Sequence, residues 1–214
     1  MYATFLGGGQ SDEGQGIAVD SQGVAWITGY TKSFSGVGGA FPTTPSAFQR
    51  DLGYTNVMTA HCHGGPELSF CPDAFVAGIS PDGTQLVYST YLGGDGSDLG
   101  YAIALDGFGK VVVSGQACSW FPVTANAIQA RSLVCGTGFL AKIDPRQSGA
   151  QSLVFSSFLG GTGGEEALAL TTDAQGDLWI AGQTASPDFP LVTPLVAQPS
   201  PKGPSGFISR LSFP

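Results

Sequence analysis

The sequence predicts an all-β chain built from three copies of one four-stranded antiparallel unit. Three observations carry this. Leu6-Gly7-Gly8 recurs as Leu92-Gly93-Gly94 and Leu159-Gly160-Gly161, and Asp20-Ser21-Gln22-Gly23 recurs as Asp106-Gly107-Phe108-Gly109 and Asp173-Ala174-Gln175-Gly176, all offset by 86 and then 67 residues. Self-similarity of this kind marks a repeat architecture. Second, 33 glycines and 14 prolines divide the chain into short runs rich in Val, Ile, Phe and Tyr, the pattern of strands bounded by turns. Third, 42% hydrophobic residues against 11% charged ones is too apolar for disorder, and no collagen-like period is present.

The elements follow in order. The first unit places strands at 16–20, 25–30, 74–80 and 86–92; the second at 102–106, 111–115, 138–144 and 153–159; the third at 169–172, 178–182 and 206–212. Asp-x-x-Gly joins the first two strands each time, and Gly29, Gly115 and Gly182 close the second. Pro81-Asp82-Gly83 joins the last two strands of the first unit, with Pro presetting φ and Gly accepting a positive one. The third unit lacks a fourth strand, and its counterpart sits at the other end of the chain. Tyr2, Ala3, Thr4, Phe5 and Leu6, with Gly7-Gly8, match Tyr88-Ser89-Thr90-Tyr91-Leu92-Gly93-Gly94 position for position. The expectation is therefore twelve strands in a single domain over residues 1–214. Its units span about 14–92, about 100–159, and about 167–214 plus 1–7. Radially repeated four-stranded antiparallel sheets are the blades of a β-propeller, whose N-terminal strand completes the last blade.

The run Leu86-Val87-Tyr88-Ser89-Thr90-Tyr91-Leu92-Gly93-Gly94, followed by Ala102-Ile103-Ala104-Leu105-Asp106, resembles the bacterial β-propeller repeat known as the SBBP repeat. So do Ile27-Thr28-Gly29-Tyr30-Thr31 and Phe41-Pro42-Thr43-Thr44-Pro45-Ser46-Ala47-Phe48-Gln49. The resemblance covers nearly the whole chain outside the cysteine-bearing insertions. It implies a propeller fold and a secreted or cell-surface bacterial setting, and it supplies no catalytic residues.

Three blades are fewer than the four to eight that propellers use, so exposed sheet faces are expected to drive association. Two chains make a six-bladed ring if each donates residues 2–6 to the other's last blade, a form of domain swapping. The rivals are a longer propeller of which the chain is an excerpt, and a head-to-tail filament made by donation that does not close. Self is thus the expected partner, as homodimer or polymer.

A net charge of −8 with scattered basic residues excludes a nucleic-acid partner, which needs clustered Lys and Arg. No apolar run reaches the ~20 residues that span a bilayer, and no signal peptide stands in this chain, because residues 2–6 already belong to a repeat. Cys62 and Cys71 lie in one inter-strand insertion, Cys118 and Cys135 in its counterpart. An even count paired locally points to disulfides Cys62–Cys71 and Cys118–Cys135 and to an extracellular or cell-surface location. Four free buried thiols are the alternative.

Antiparallel connectivity puts the long links 31–73, 116–137 and 183–205, with the Gly-Gly loops, on one face of the ring. Loops on a rigid scaffold are where ligands bind, and a carbohydrate or protein is the ligand class expected there. Asp12, Glu13, Asp95, Asp98, Glu165 and Glu166 sit in or beside the Gly-Gly loops. Carboxylates in such loops are calcium-type ligands, yet none has EF-hand or nonapeptide spacing, and Asp beside Gly equally serves to build turns. His61 and His63 around Cys62 are a further metal candidate, with a spacing that matches no standard zinc site. No cofactor beyond calcium is implied. Phe41, Phe121 and Phe189, each before a proline, recur at the start of the long loops. They are candidates for the ligand face or, as repeated positions, for the shared core. Trp120 is not repeated and is the more distinctive aromatic. No Gly-x-Ser-x-Gly, His-Glu-x-x-His or P-loop is present, so no catalytic residue is assigned. The function expected is a non-catalytic extracellular binding or assembly module. The alternatives are a filament-forming cell-surface protein and a hydrolase or lyase acting at a central channel.

Overall fold

The computed structural model describes residues 1–36, 38–53, 71–118, 120–132, 134–192 and 203–212. These residues form eleven strands in three antiparallel sheets, with one short 3-10 turn at Gly149–Ser152. The first sheet is β1 (Asp12–Val19), β2 (Ala25–Thr31), β3 (Asp73–Ile79) and β4 (Leu86–Leu92), in that order. The second is β5 (Leu99–Leu105), β6 (Val111–Ala117), β7 (Thr137–Ile143) and β8 (Leu153–Leu159). The third holds β9 (Glu165–Thr172), β10 (Leu178–Thr184) and β11 (Ser205–Leu211), and β11 is its edge. Each sheet is thus a meander laid down in sequence order.

The first strand of each sheet starts earlier than the sequence suggests: Asp12 rather than 16, Leu99 rather than 102, Glu165 rather than 169. A register shift explains this. Gly14 pairs with Gly29 and Gly16 with Thr28; Gly100 pairs with Gly115 and Ala102 with Ser114; Ala167 pairs with Gly182 and Ala169 with Ala181. The bulge breaks the alternation of side chains and hides the strand's beginning. It also explains the repeated glycine opposite. A Cβ on Gly29, Gly115 or Gly182 would lie 1.8, 1.9 and 1.9 Å from the carbonyl oxygens of Glu13, Leu99 and Glu166.

The Asp-x-x-Gly links are side-chain-locked turns. Asp20 Oδ1 accepts the Gln22 and Val24 amides, and its Oδ2 accepts Trp26 Nε1 at 3.1 Å. Asp173 does the same with Gln175, Asp177 and Trp179 Nε1, the last at 2.9 Å. Asp106 keeps the two amide bonds, to Phe108 and Lys110, but its second oxygen pairs with Lys142 Nζ at 2.8 Å. Burial alone would raise the Asp106 carboxyl, yet Lys142 and the two amides hold it below the usual range.

The sheets pack face on face in series. One face of the first sheet (Val24, Trp26, Val76) meets Val111, Val113, Phe139 and Ile143 of the second. The opposite face of the second (Val112, Leu140) meets Leu178, Ile180 and Phe207 of the third. The innermost strand β5 touches both β1 and β9. The outer face of the first sheet, with Ile27, Phe75 and Ala77, carries a smaller cluster into which Phe34, Phe41 and Leu6 pack.

Residues 2–6 form no strand in this chain. They fold back along the first sheet, where Tyr2, Thr4 and Leu6 line a cavity of ≈ 250 Å³ with Ile17, Ile27 and Phe75. Residues 2–6 thus do not supply, within this chain, the twelfth strand expected from the repeat.

Candidate assembly edge and loop face

The fourth strand of each complete sheet is clasped on its outer edge by the long loop. The Thr44 amide donates to Ser89 O and the Tyr91 amide to Gln49 O, at 3.0 and 3.1 Å. Thr124 to Ser156 O and Phe158 to Gln129 O repeat both bonds at 3.1 and 3.0 Å. The side chains of Gln49 and Gln129 turn back to accept the amides of Gly93 and Gly160, both at 3.1 Å. An edge covered in this way cannot pair with another strand. In the third sheet β11 takes the edge position, and residues 193–202, the counterpart of the clasp, lie outside the described residues.

The recurring Phe-Pro aromatics anchor these loops. Phe41 packs on Phe75, Phe121 on Phe139 and Phe189 on Phe207, with centroids 4.5, 4.4 and 4.6 Å apart and interplanar angles of 34, 35 and 33°. All three rings of the Phe-Pro pairs are buried. The fourth strand adds a third ring in the complete sheets: Tyr91 lies 5.8 Å from Phe41, and Phe158 6.1 Å from Phe121. Among the described residues the Phe189–Phe207 pair has no such third ring from a fourth strand. The residue aligned with Tyr91 and Phe158 is Phe5, which is 104% exposed, whereas Tyr91 and Phe158 are 0% and 3% exposed. Sequence reasoning matched the segments but not this ring, because the partner phenylalanines are read only from the pairing register.

The acids of the Gly-Gly loops fall into two sets. Asp12, Asp98 and Glu165 hold equivalent places at the head of each sheet, the first and last of them inside β1 and β9. Asp12 Oδ2 accepts the Gly8 amide at 2.8 Å and Asp98 Oδ2 the Gly94 amide at 2.7 Å. Hydroxyls complete the first and third: Thr31 and Ser33 donate to Asp12, Thr184 and Ser186 to Glu165. Asp98 takes the Cys118 amide instead, at 2.9 Å. These carboxylates tie a loop to its sheet. Glu165 Oε2 is buried without a hydrogen-bond partner. The other set faces outward: Glu13 accepts from Tyr30 Oη, Glu166 from Gln183, and Asp95 is half-buried. Among the described residues no three His, Cys, Asp or Glu side chains gather in a way that could hold a metal ion.

Asp73, missed in the sequence because it stands where β7 has Thr137 and β11 has Ser205, is fully buried beside Asp98. Its Oδ2 accepts Gln49 Nε2 at 2.9 Å and the Gly53 amide at 2.8 Å. Burial, and next the charge of Asp98, push its carboxyl well above the usual range. Burial pushes Asp98 up to about 8 against the pull of the Gly94 and Cys118 amides.

Cys118 and Cys135 form a disulfide across the second long loop, 17 residues apart in sequence. Cys62, His61 and His63 lie outside the described residues; Cys71 is buried at the head of β3. Trp120 sits beside the disulfide with φ +75° and is 80% exposed. It takes the place of Ala40 and Asp188 in the other loops, where the backbone or side chain crowds the second glycine of Leu-Gly-Gly. A Cβ on Gly94 would lie 2.2 Å from Trp120 O, one on Gly8 2.6 Å from Ala40 O, and one on Gly161 2.3 Å from Asp188 Oδ1. The backbone position is thus part of the repeat, and only the indole is particular to this loop. No described helix is long and apolar enough to cross a membrane. No family model matches the chain, and no curated protein matches it.

Proposed function

We propose that the chain is a non-catalytic extracellular assembly and binding module, a β-propeller whose ring is completed by strand exchange between copies. One observation carries the assembly half. The third sheet ends on β11, and the segment whose sequence repeats β4 and β8 stands unpaired at the N-terminus with Phe5 in solvent. The pairings Phe75 with Tyr91 and Phe139 with Phe158 give the register for the donated strand: Gly206 opposite Leu6, Phe207 opposite Phe5, Ile208 opposite Thr4. Phe5 then supplies the missing ring over Phe189 and Phe207, and backbone bonds along β11 supply the affinity, as in other strand-addition complexes. The same junction repeated without closure gives a filament, the second form this chemistry allows.

The long loops, which antiparallel connectivity puts on one face, carry the binding half. Trp120, held beside a disulfide and presented to solvent, is the residue most suited to stack on a sugar or a protein side chain. The Cys118–Cys135 disulfide suits an oxidising compartment, in keeping with the SBBP-like repeats and a secreted or surface setting. The test of assembly is a chain lacking residues 1–7 offered a peptide of residues 1–8. Saturable binding of the peptide, lost when Phe5 in it is replaced by Ala, supports strand exchange; no binding at millimolar peptide refutes it.

A further inference from the structure

Beyond the β11 edge, the chain carries two unlike apolar sheet faces that the internal packing shows to be complementary. Position by position, Trp26, Val112 and Trp179 are equivalent, as are Val76, Leu140 and Ile208. In the first two sheets this face lies under the next sheet, and Val76 and Leu140 are 0% and 1% exposed; Ile208 is 75% exposed. Trp26 and Trp179 make the same hydrogen bond to their turn aspartates, yet Trp26 is 5% exposed and Trp179 38%. The opposite face behaves inversely. Ile103 is 7% exposed because the second sheet's face packs on the first, whereas its equivalent Ile17 is 68% exposed. Ile27 and Phe75 beside it are the counterparts of Val113 and Phe139, and of Ile180 and Phe207, which receive the preceding sheet. The chain therefore has a tail (Trp179, Ile208) and a head (Ile17, Ile27, Phe75) of the same two kinds that bury each other at both internal junctions.

We infer that the head of a second copy of this chain packs on the tail of the first, repeating the internal sheet-to-sheet contact across the subunit boundary. The occupant is a copy of this chain rather than an unrelated protein, because both internal junctions already join faces of these two kinds. The direction agrees with strand exchange. The link from β4 to β5 shows that the sheet after a fourth strand packs against that strand's own sheet. A copy that donates residues 2–6 to β11 is thereby led to place its first sheet on the tail. Donation also clears the head. In the single chain Tyr2, Thr4 and Leu6 lie over Ile17, Ile27 and Phe75 around a half-open pocket, and a segment pairing with β11 of another copy no longer lies there. The inference extends the strand-exchange proposal but uses different side chains, so the two can fail separately.

The test is the native mass of Ile17→Glu and Ile208→Glu, alone and mixed in equal amounts, beside the unaltered chain and the chain lacking residues 1–7. The expected result is an oligomer for the unaltered chain, single chains for each Glu variant alone, and two-chain particles, none larger, for the mixture. In the mixture one variant brings an intact tail and the other an intact head. Recovery of pairing also shows that both variants fold. An isologous head-to-head contact would leave Ile208→Glu alone at the unaltered mass, which would overturn the inference. Unaltered masses for both Glu variants, with loss of mass only on removing residues 1–7, would overturn it and leave strand exchange standing. Loss with both Glu variants but not with the truncation would uphold it and remove strand exchange. A single chain in the unaltered protein at every concentration would overturn both.

Discussion

Replacing Phe5 by Ala removes one ring that is fully exposed in the single chain and has no role in its fold. In the complete sheets the same position is 0% exposed at Tyr91 and 3% at Phe158. Donation therefore transfers the whole Phe5 side chain from water into the niche over Phe189 and Phe207. Full burial of a phenylalanine side chain is worth ~1.5–3 kcal/mol, and the ring-on-ring contact ~0.5–1.5 kcal/mol more. The expected loss is ~2–4 kcal/mol per junction, or about 30- to 1,000-fold in the dissociation constant of one junction. A closed ring of two chains has two junctions and loses about twice that free energy, by the same arithmetic. Sedimentation velocity over a dilution series reads the shift directly. Thermal unfolding at concentrations where both proteins are single chains should show equal midpoints. An unchanged dissociation constant would refute the strand-exchange reasoning. A lowered midpoint in the single chain would refute the claim that Phe5 stands free in it.

Three further predictions concern the single chain. Gly115→Ala places a methyl 1.9 Å from the Leu99 carbonyl oxygen at the bulge. Overpacking against backbone should cost about 3 kcal/mol or more in chemical denaturation, and a loss under ~1 kcal/mol would contradict the close approach. Asp106→Ala removes the 2.8 Å ion pair with the largely buried Lys142 together with two amide bonds and should cost ~3–5 kcal/mol; a loss under ~1 kcal/mol would contradict the ion pair's importance. The third is a pH dependence. Asp73 and Asp98 are held above the usual carboxyl value of 3.8 in the fold, Asp98 to about 8. The folded form thus keeps protons that the unfolded chain has released, and this pair's contribution to stability falls as pH rises from about 4 through about 8. Asp73→Asn retains an oxygen for Gln49 and Gly53 while removing the charge next to Asp98. Its urea midpoint should fall less than the unaltered protein's between about pH 5 and about pH 9, and superimposable profiles would contradict the coupling.

Much of the architecture was legible because the chain repeats itself. The Asp-x-x-Gly turns, the order of strands within each sheet and the Phe-Pro anchors all recur at the predicted places. The strand beginnings were not legible, for a physical reason. Gly14, Gly100 and Ala167 sit at bulges, where the period of two on which strand recognition rests is interrupted. The acids at 12, 98 and 165 consequently look like loop residues. Each instead stands at the start of a sheet, and their partners, amides and hydroxyls from other segments, have no local signature. Asp73 was missed because a buried acid at a strand start differs from its repeat counterparts Thr137 and Ser205 only in the charge that burial then suppresses. Phe41, Phe121 and Phe189 were candidates for both ligand face and core; the structure buries them, and among the described aromatics of the long loops Trp120 is the one that faces solvent. Head and tail faces could not be told apart by composition, since Ile17 and Ile208 are as apolar as the residues they correspond to inside the stack.

Strand exchange is tested most directly by the native mass of the full chain under non-reducing conditions, measured beside that of the chain without residues 1–7. The prediction is a mass of about two chains for the first, as the blade number of a closed ring requires, and of one chain for the second. A ladder of sizes that collapses to one chain on truncation would keep the donated strand and replace the ring by a filament. A full chain that stays single at every concentration, or an oligomer unchanged by the truncation, would contradict strand exchange outright.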